Sequence, residues 1–189
     1  MSDPSLEQAQ KRAVFARGFW FGLGYFLFGL YWIGAAFLAR GGAFVWIMPV
    51  AVFVMCAGLA IFWGGAALLF VKLRGAKVIR QILVFTLVFT GGEVLRGHVF
   101  GGFPWNLPGY IFEGGKPVSQ SAHFIGIYGL TALVFLFAGA LGALAVSKKF
   151  APVIVTALVF LSLYGYGYNR LKNAEIKYLP NVTLRLVHA

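Results

Sequence analysis

Few side chains in this sequence could carry out covalent chemistry. Cys56 is the only cysteine and lies inside an apolar run, and the acidic residues are Asp3, Glu7, Glu93, Glu113 and Glu175. A thiol nucleophile needs an adjacent base and an oxyanion donor. No carboxylate or lysine is predicted to reach the middle of the span that holds Cys56. No catalytic residue is therefore assigned in this chain.

His123 stands at the start of an apolar run without other ligands at metal-binding spacing. It is interpreted as a hydrogen-bonding or interfacial residue. Neither a metal nor a cofactor is predicted.

Residues 93–110, EVLRGHVFGGFPWNLPGY, form the stretch with the most specific pattern. Glu93 and Arg96 are three residues apart at the end of an apolar run, so on a helix they lie on one face and can pair. Pairing is expected because a lone charge near lipid is costly. The helix is expected to end after Gly97, since Pro104 and Pro108 favour extended backbone before them.

Irregular backbone at membrane depth is tolerated only against protein or a wet cavity. The 93–110 stretch is therefore predicted to form a shaped loop over a helix bundle. The alternative is a connecting loop with an interfacial tryptophan anchor.

The composition is that of an integral membrane protein. The 189 residues are 60% hydrophobic and 11% charged, whereas roughly a quarter of the residues of a soluble domain are charged. The net charge is +11, but the basic residues lie in short clusters between apolar runs. This arrangement favours anionic lipid headgroups over nucleic acid as the partner. The N-terminus lacks a signal-peptide pattern, so the first apolar run is expected to stay in the membrane.

The fold class predicted from the apolar runs is an all-α polytopic bundle of about five transmembrane helices. A polar N-terminal tail (1–12) precedes the bundle (13–173), and a segment of different character (174–189) follows it. Spans are expected near residues 13–39, 44–71, 79–95, 117–146 and 152–168. Gly18 and Gly22 form a GxxxG pattern that lets a second helix approach closely.

Residues 182–187 alternate and are rich in β-branched side chains, which predicts a C-terminal β-strand without a partner strand. Lysine and arginine are slightly more frequent on the side that holds the N-terminus and the loops around residues 72–80 and 148–149. We therefore expect a cytoplasmic N-terminus and an extracytoplasmic C-terminus, with the 93–110 loop also outside.

Three stretches resemble the apolipoprotein N-acyltransferase family: FGLGYFLFGLYWI, GGEVLRGHVFGGFPWNLPGY and PVSQSAHFIGIYGL. The final LRLVHA is similar to the first strand of that family's extracytoplasmic nitrilase-like domain. The resemblance covers most of residues 18–189, and the ExLRG run followed by GFPW is specific. His98 departs from the family pattern, in which an aromatic residue is common at this position.

The resemblance implies the membrane domain of a bacterial inner-membrane enzyme. That enzyme moves an acyl chain from a phospholipid to the N-terminal diacylglyceryl-cysteine of a lipoprotein, using Cys, Glu and Lys of the nitrilase-like domain. Residues 174–189 would only begin that domain, so the chain is expected to be truncated, inactive alone and dependent on such a domain in cis or in trans. The residues matching the loop beside the lipid access route are Glu93, Arg96, Phe103, Pro104, Trp105 and Asn106.

A second interpretation is a small non-enzymatic helical membrane protein that acts as a structural or lipid-binding subunit. The predicted C-terminal strand favours the acyltransferase interpretation, because a lone strand would have no partner strand in a protein that consists of a five-span helix bundle.

Overall fold

The computed structural model describes residues 4–42, 44–175 and Arg185, and the elements in this part of the chain are helical. Among these described residues, five helical segments are long and apolar enough to cross a membrane, which confirms the predicted number of spans. The α-helices are α1 (Pro4–Leu30), α2 (Ala35–Arg40), α3 (Phe44–Leu73), α4 (Val78–His98), α5 (Ala122–Ser147) and α6 (Ala151–Lys172). A 3-10 turn, Tyr31–Gly34, joins α1 to α2, so these two helices form one span.

Helices α3 and α5 each carry a notable feature of length or backbone geometry. Pro49 lies inside α3 without ending it, and the 30 residues of α3 rise about 45 Å, more than the ~30 Å hydrocarbon core of a bilayer. In α5, Gly126 has a φ of 64° and interrupts the helix one turn after its start. Positive φ is readily accessible to glycine, so this residue permits the kink.

The close contact between α1 and α3 depends on the two glycines of the GxxxG pattern. A Cβ atom added at Gly18 would lie 2.6 Å from the carbonyl oxygen of Trp63, and one at Gly22 would lie 3.0 Å from the Trp63 Cβ. The missing side chains therefore allow the backbones to touch, which confirms the predicted helix packing. Each later long helix packs on the one before it, so the order across the bundle follows the chain.

The core of the bundle is an aromatic cluster around Trp63. The ring of Tyr25 stacks on Trp63 with centroids 4.9 Å apart, and Phe26, Phe89 and Phe135 approach it edge-on at 5.6–5.9 Å. Offset and edge-to-face arrangements are the favourable ones for aromatic rings. Residues from α1, α3, α4 and α5 thus meet at one point.

The predicted β-strand at residues 182–187 receives no support. No strand occurs among the residues that the structure describes, and the predicted strand lies outside them except for Arg185, which has no regular secondary structure. The fold of the described chain is therefore helical, without the β element expected from the alternating pattern.

Candidate functional site

Glu93 and Arg96 form a buried ion pair near the end of α4. Arg96 donates from Nη2 to Oε2 of Glu93 and from Nε to Oε1, the latter at 3.3 Å. Glu93 is 0% exposed and Arg96 is 2% exposed. The predicted pairing on one helix face is confirmed. Glu93 lies about 7.5 Å before the last residue of α4 by helical rise, so the pair is buried near the end of that helix.

Trp63 supplies the third member of this buried cluster from α3. Its indole Nε1 donates a hydrogen bond of 2.6 Å to Oε1 of Glu93. The guanidinium of Arg96 lies over the ring of Phe26, 4.9 Å from its centroid, as in a cation–π contact. Each charged group is therefore neutralised and hydrogen-bonded inside the protein, as a buried charge requires.

The expectation that no carboxylate reaches the middle of the second span was wrong. Glu93 contacts Trp63 of that span, which is two turns, or about 10 Å, along the helix from Cys56. Sequence reasoning missed Trp63, although a tryptophan within an apolar run needs an acceptor for its N–H when buried. Cys56 is 0% exposed and belongs to the apolar core, so the structure gives its thiol a packing role.

Arg96 also holds the loop that follows α4. Its Nη1 donates to the carbonyl oxygens of Phe103 and Trp105, the latter at 3.0 Å, and the Phe103 N–H donates to the carbonyl of Arg96 at 3.2 Å. Gly102, with a φ of 80°, sits in the turn that brings the chain back to the helix end. The planar guanidinium, with several donors, can bridge a carboxylate and two carbonyls at once.

The loop begins where the sequence predicted. Helix α4 ends at His98, one residue after Gly97, and a 3-10 turn over Val99–Gly101 follows. Leu107, which precedes Pro108, has the expected extended backbone with φ −67° and ψ 139°. We call residues 99–111 the clamped loop.

The clamped loop contacts α1 through Asn106. The Tyr25 hydroxyl donates to the Asn106 carbonyl at 2.9 Å, and the Asn106 side chain lies directly against Gly29, where a Cβ would clash with it. Asn106 has a φ of 56°, a conformation that asparagine adopts more readily than most residues. Asparagine at this position therefore suits both the turn and the contact.

The other end of the clamped loop docks on α5. The Gly109 N–H donates to Oγ1 of Thr131 at 3.1 Å, and a Cβ at Gly109 would lie 2.8 Å from the Ile127 carbonyl oxygen. Leu107 is 1% exposed between these contacts. Contacts with α1, α4 and α5 thus fix the conformation of the loop.

An aromatic cleft opens beside the clamped loop. Trp105 stacks on Trp32 with ring centroids 5.2 Å apart and planes 14° apart. A cavity of about 320 Å³ lies here, lined by Gly29, Leu30, Trp32, Trp105, Asn106 and Tyr110. Trp32, Trp105 and Tyr110 are each about half exposed. We call this cavity the tryptophan cleft.

All six residues singled out from the sequence belong to this one assembly. Glu93 and Arg96 are its buried anchor, and Phe103, Trp105 and Asn106 are in the loop it holds. A Cβ added at Gly97 would lie 3.6 Å from Cβ of Pro104, which places Pro104 beside the helix end.

The two histidines among the described residues, His98 and His123, lie outside the buried cluster. His98 is exposed, with Nδ1 2.7 Å from the Val94 carbonyl and its ring 5.8 Å from that of Tyr128. His123 is exposed in the first turn of α5.

The arrangement suits binding better than covalent chemistry. The charged groups are buried and engaged in holding the loop, while the accessible surface of the tryptophan cleft is aromatic with an amide beside it. Amphipathic rings of this kind are typical where an apolar chain meets a polar headgroup region. The cleft is lined by neither a thiol nor a carboxylate.

Residues 5–140 match the family model described as the apolipoprotein N-acyltransferase N-terminal domain. The apolipoprotein N-acyltransferase of Caulobacter vibrioides is 42% identical over 183 residues, covering 96% of this chain and 34% of the relative. Those of Brucella melitensis and Rhodopseudomonas palustris are 40% and 38% identical over 80% and 90% of this chain, and over 28% and 32% of the relatives. The chain thus spans about a third of the length of these curated relatives.

Proposed function

The chain belongs to the apolipoprotein N-acyltransferase family, and we propose that it is the membrane domain of an enzyme that transfers a phospholipid acyl chain to the N-terminal diacylglyceryl-cysteine of a lipoprotein. The five apolar helices and the bacterial relatives support a multi-pass protein of the inner membrane. We further propose that the N-terminus is cytoplasmic, which places the clamped loop on the extracytoplasmic side. No observation favours the alternative of a non-enzymatic subunit over this function.

In this proposal the tryptophan cleft receives the lipid substrates. The main support is a set of contacts around Arg96. Its guanidinium donates hydrogen bonds to the carbonyls of Phe103 and Trp105. These bonds hold Trp105 where its ring stacks on Trp32 beside an open cavity. A rigid aromatic surface binds an acyl chain without first having to be ordered, which lowers the cost of binding. Glu93 and Arg96 act here as positioning residues, and Phe103, Pro104, Trp105 and Asn106 form the wall.

The reacting groups would come from a nitrilase-like domain in cis or in trans. The family resemblance implies a Cys nucleophile, a Glu base and a Lys oxyanion donor in that domain. We propose that residues 174–189 are the beginning of that domain. The proximity of the clamped loop to such a domain would bring the lipid ester to the nucleophile.

Photocrosslinking tests the lipid site. The purified chain in bilayers is irradiated with a phospholipid that carries a diazirine on its acyl chain, and labelled peptides are identified by mass spectrometry. We expect labelling at Trp32, Trp105 and Tyr110 that falls when both tryptophans are replaced by alanine. The matched control is Trp46→Ala, since Trp46 is 86% exposed on another part of the bundle. Labelling of residues 105–110 that survives the double replacement would contradict the site.

A second arm tests the reaction. The chain is combined with a nitrilase-like domain of a relative, and N-acylation of a diacylglyceryl peptide is measured. Product that depends on both parts supports the membrane-domain role. Lipid labelling in the cleft without any product would favour a lipid-binding subunit instead.

A further inference from the structure

A second, larger cavity lies at the end of the bundle opposite the tryptophan cleft. It measures about 950 Å³ and lies between the start of α1 and the last turns of α3. By helical rise, Arg17 at this cavity is about 18 Å along α1 from Gly29 at the tryptophan cleft. We call it the basic groove. It is separate from the assembly of Glu93, Arg96 and the clamped loop.

The groove adjoins the contact between α1 and α3. The two backbones touch at Gly18 and Gly22 against Trp63, and the ring of Phe15 covers Gly64. The α1 residues that line the groove, Glu7 to Arg17, precede Gly18, and the α3 residues that line it begin at Gly65. The cavity therefore lies on one side of the GxxxG contact, toward the start of α1 and the end of α3.

The rim of the groove is strongly basic. Lys11, Arg17, Lys72 and Arg74 line it together with one acidic residue, Glu7, which pairs with Lys11 at 2.6 Å. Within the described part of the chain no carboxylate forms an ion pair with Arg17, Lys72 or Arg74. All three are exposed. Three cationic side chains therefore face one cavity, and the one carboxylate among the described lining residues, that of Glu7, pairs with Lys11 instead.

Apolar side chains line the groove as well. Val14 from α1 and Leu68, Leu69 and Val71 from α3 face the same cavity as the charges. Gly65 also faces the cavity, and a Cβ there would meet no atom within 4 Å. Basic and apolar side chains around one cavity, at the end of two membrane-spanning helices, match an amphiphile with an anionic head and hydrocarbon chains.

We propose that the basic groove binds one anionic phospholipid of the adjacent leaflet, with its phosphate among Arg17, Lys72 and Arg74 and an acyl chain against Val14 and Leu68. Under the orientation proposed above this is the cytoplasmic leaflet. The site differs from the tryptophan cleft in position, charge and leaflet. It does not depend on the acyl-transfer proposal, because a lipid held here lies at the other end of the bundle.

Native mass spectrometry of the detergent-solubilised chain tests the site by counting bound lipids during titration with phosphatidylglycerol or phosphatidylcholine. We expect one phosphatidylglycerol to bind in preference to phosphatidylcholine. The double variant Arg17→Gln and Lys72→Gln should bind it about tenfold more weakly or worse, since each basic residue near anionic headgroups adds a several-fold gain. The matched control is Lys148→Asn with Lys149→Gln, which removes two exposed charges from the turn between α5 and α6.

A variant that fills the cavity distinguishes lipid binding in the groove from general attraction between the basic surface and anionic lipid. Gly65→Leu occupies open space, keeps every charge and favours the helix, so it should fold. We expect it to lose the bound phosphatidylglycerol, while Gly142→Leu on α5, which also meets open space, keeps it. The proposal would be overturned if the two charge variants lost the same affinity for phosphatidylglycerol. It would also be overturned if Gly65→Leu kept the bound lipid, or if millimolar inorganic phosphate displaced it.

Discussion

The indole nitrogen of Trp63 lies 2.6 Å from Oε1 of Glu93 and so joins α3 to α4 in the core of the bundle. The same carboxylate holds Arg96, and Arg96 holds the carbonyls of Phe103 and Trp105. A surface loop is thereby tied to the centre of a membrane domain through three side chains.

Replacing Trp63 by Phe tests the first link. The change removes the donor to Glu93 and leaves a buried carboxylate oxygen with one partner fewer, at a cost of about 1–3 kcal/mol plus some lost packing. Unfolding in mixed detergent, followed by circular dichroism, measures the loss. Trp46→Phe is the control, because Trp46 is 86% exposed and should give no change. Equal stability of the two variants would show that the bond contributes nothing.

Replacing Arg96 tests the second link. Arg96→Gln leaves Glu93 buried without its counter-charge and should destabilise the protein by about 3–5 kcal/mol. Arg96→Lys keeps the charge but cannot bond the carboxylate and both carbonyls together, so we expect a smaller loss of stability with greater protease cleavage within residues 99–111. If the loop of Arg96→Lys resists protease cleavage as well as that of the unmodified chain, the several donors of arginine are not needed to hold the loop.

Gly29→Ala tests the contact between the clamped loop and α1. The added Cβ would clash with the Asn106 side chain, and overpacking of this kind costs about 1–3 kcal/mol. We expect displacement of the loop, detected as stronger cleavage near residue 106 and weaker photolabelling of the tryptophan cleft. The control is Gly24→Ala, where a Cβ meets nothing within 4 Å and helix propensity predicts up to about 1 kcal/mol of stabilisation.

The proposed orientation can be checked by cysteine labelling. Cys56 is the only cysteine and is 0% exposed, so it should give no background with a membrane-impermeant maleimide. Added from outside to spheroplasts, the reagent should label Glu113→Cys and spare Lys149→Cys until the membrane is permeabilised. The reverse labelling pattern would place the clamped loop in the cytoplasm and contradict the proposed orientation.

The chain by itself is predicted not to transfer acyl groups. Cys56 is buried in the apolar core, and the carboxylate of Glu93, which contacts the same helix at Trp63, is engaged with Trp63 and Arg96. A weak thiol nucleophile is activated by an adjacent base, and the Glu93 carboxylate is not free to act as one. Incubation in phospholipid with a diacylglyceryl peptide should give neither N-acylated peptide nor an acyl-thioester. Product that disappears in Cys56→Ser would reveal an active site within the bundle.

Local features of this site could be predicted because their causes are local. The Glu93–Arg96 pair follows from a spacing of three on one helix. The helix end near Gly97 and the extended Leu107 follow from nearby prolines. The C-terminal strand was a local prediction too, but alternation alone cannot supply the partner strand that a β-strand needs.

The number and approximate limits of the spans were determined by the sequence alone, because burial in lipid depends on hydropathy summed along each segment. Only the tertiary structure decided that Trp63 meets Glu93, that Asn106 meets Tyr25 and Gly29, and that Arg96 turns its guanidinium to the loop. In a soluble helix, the apolar stripe marks the buried face. Here lipid-facing and protein-facing sides are equally apolar, so the pattern of side chains does not say which face meets which helix.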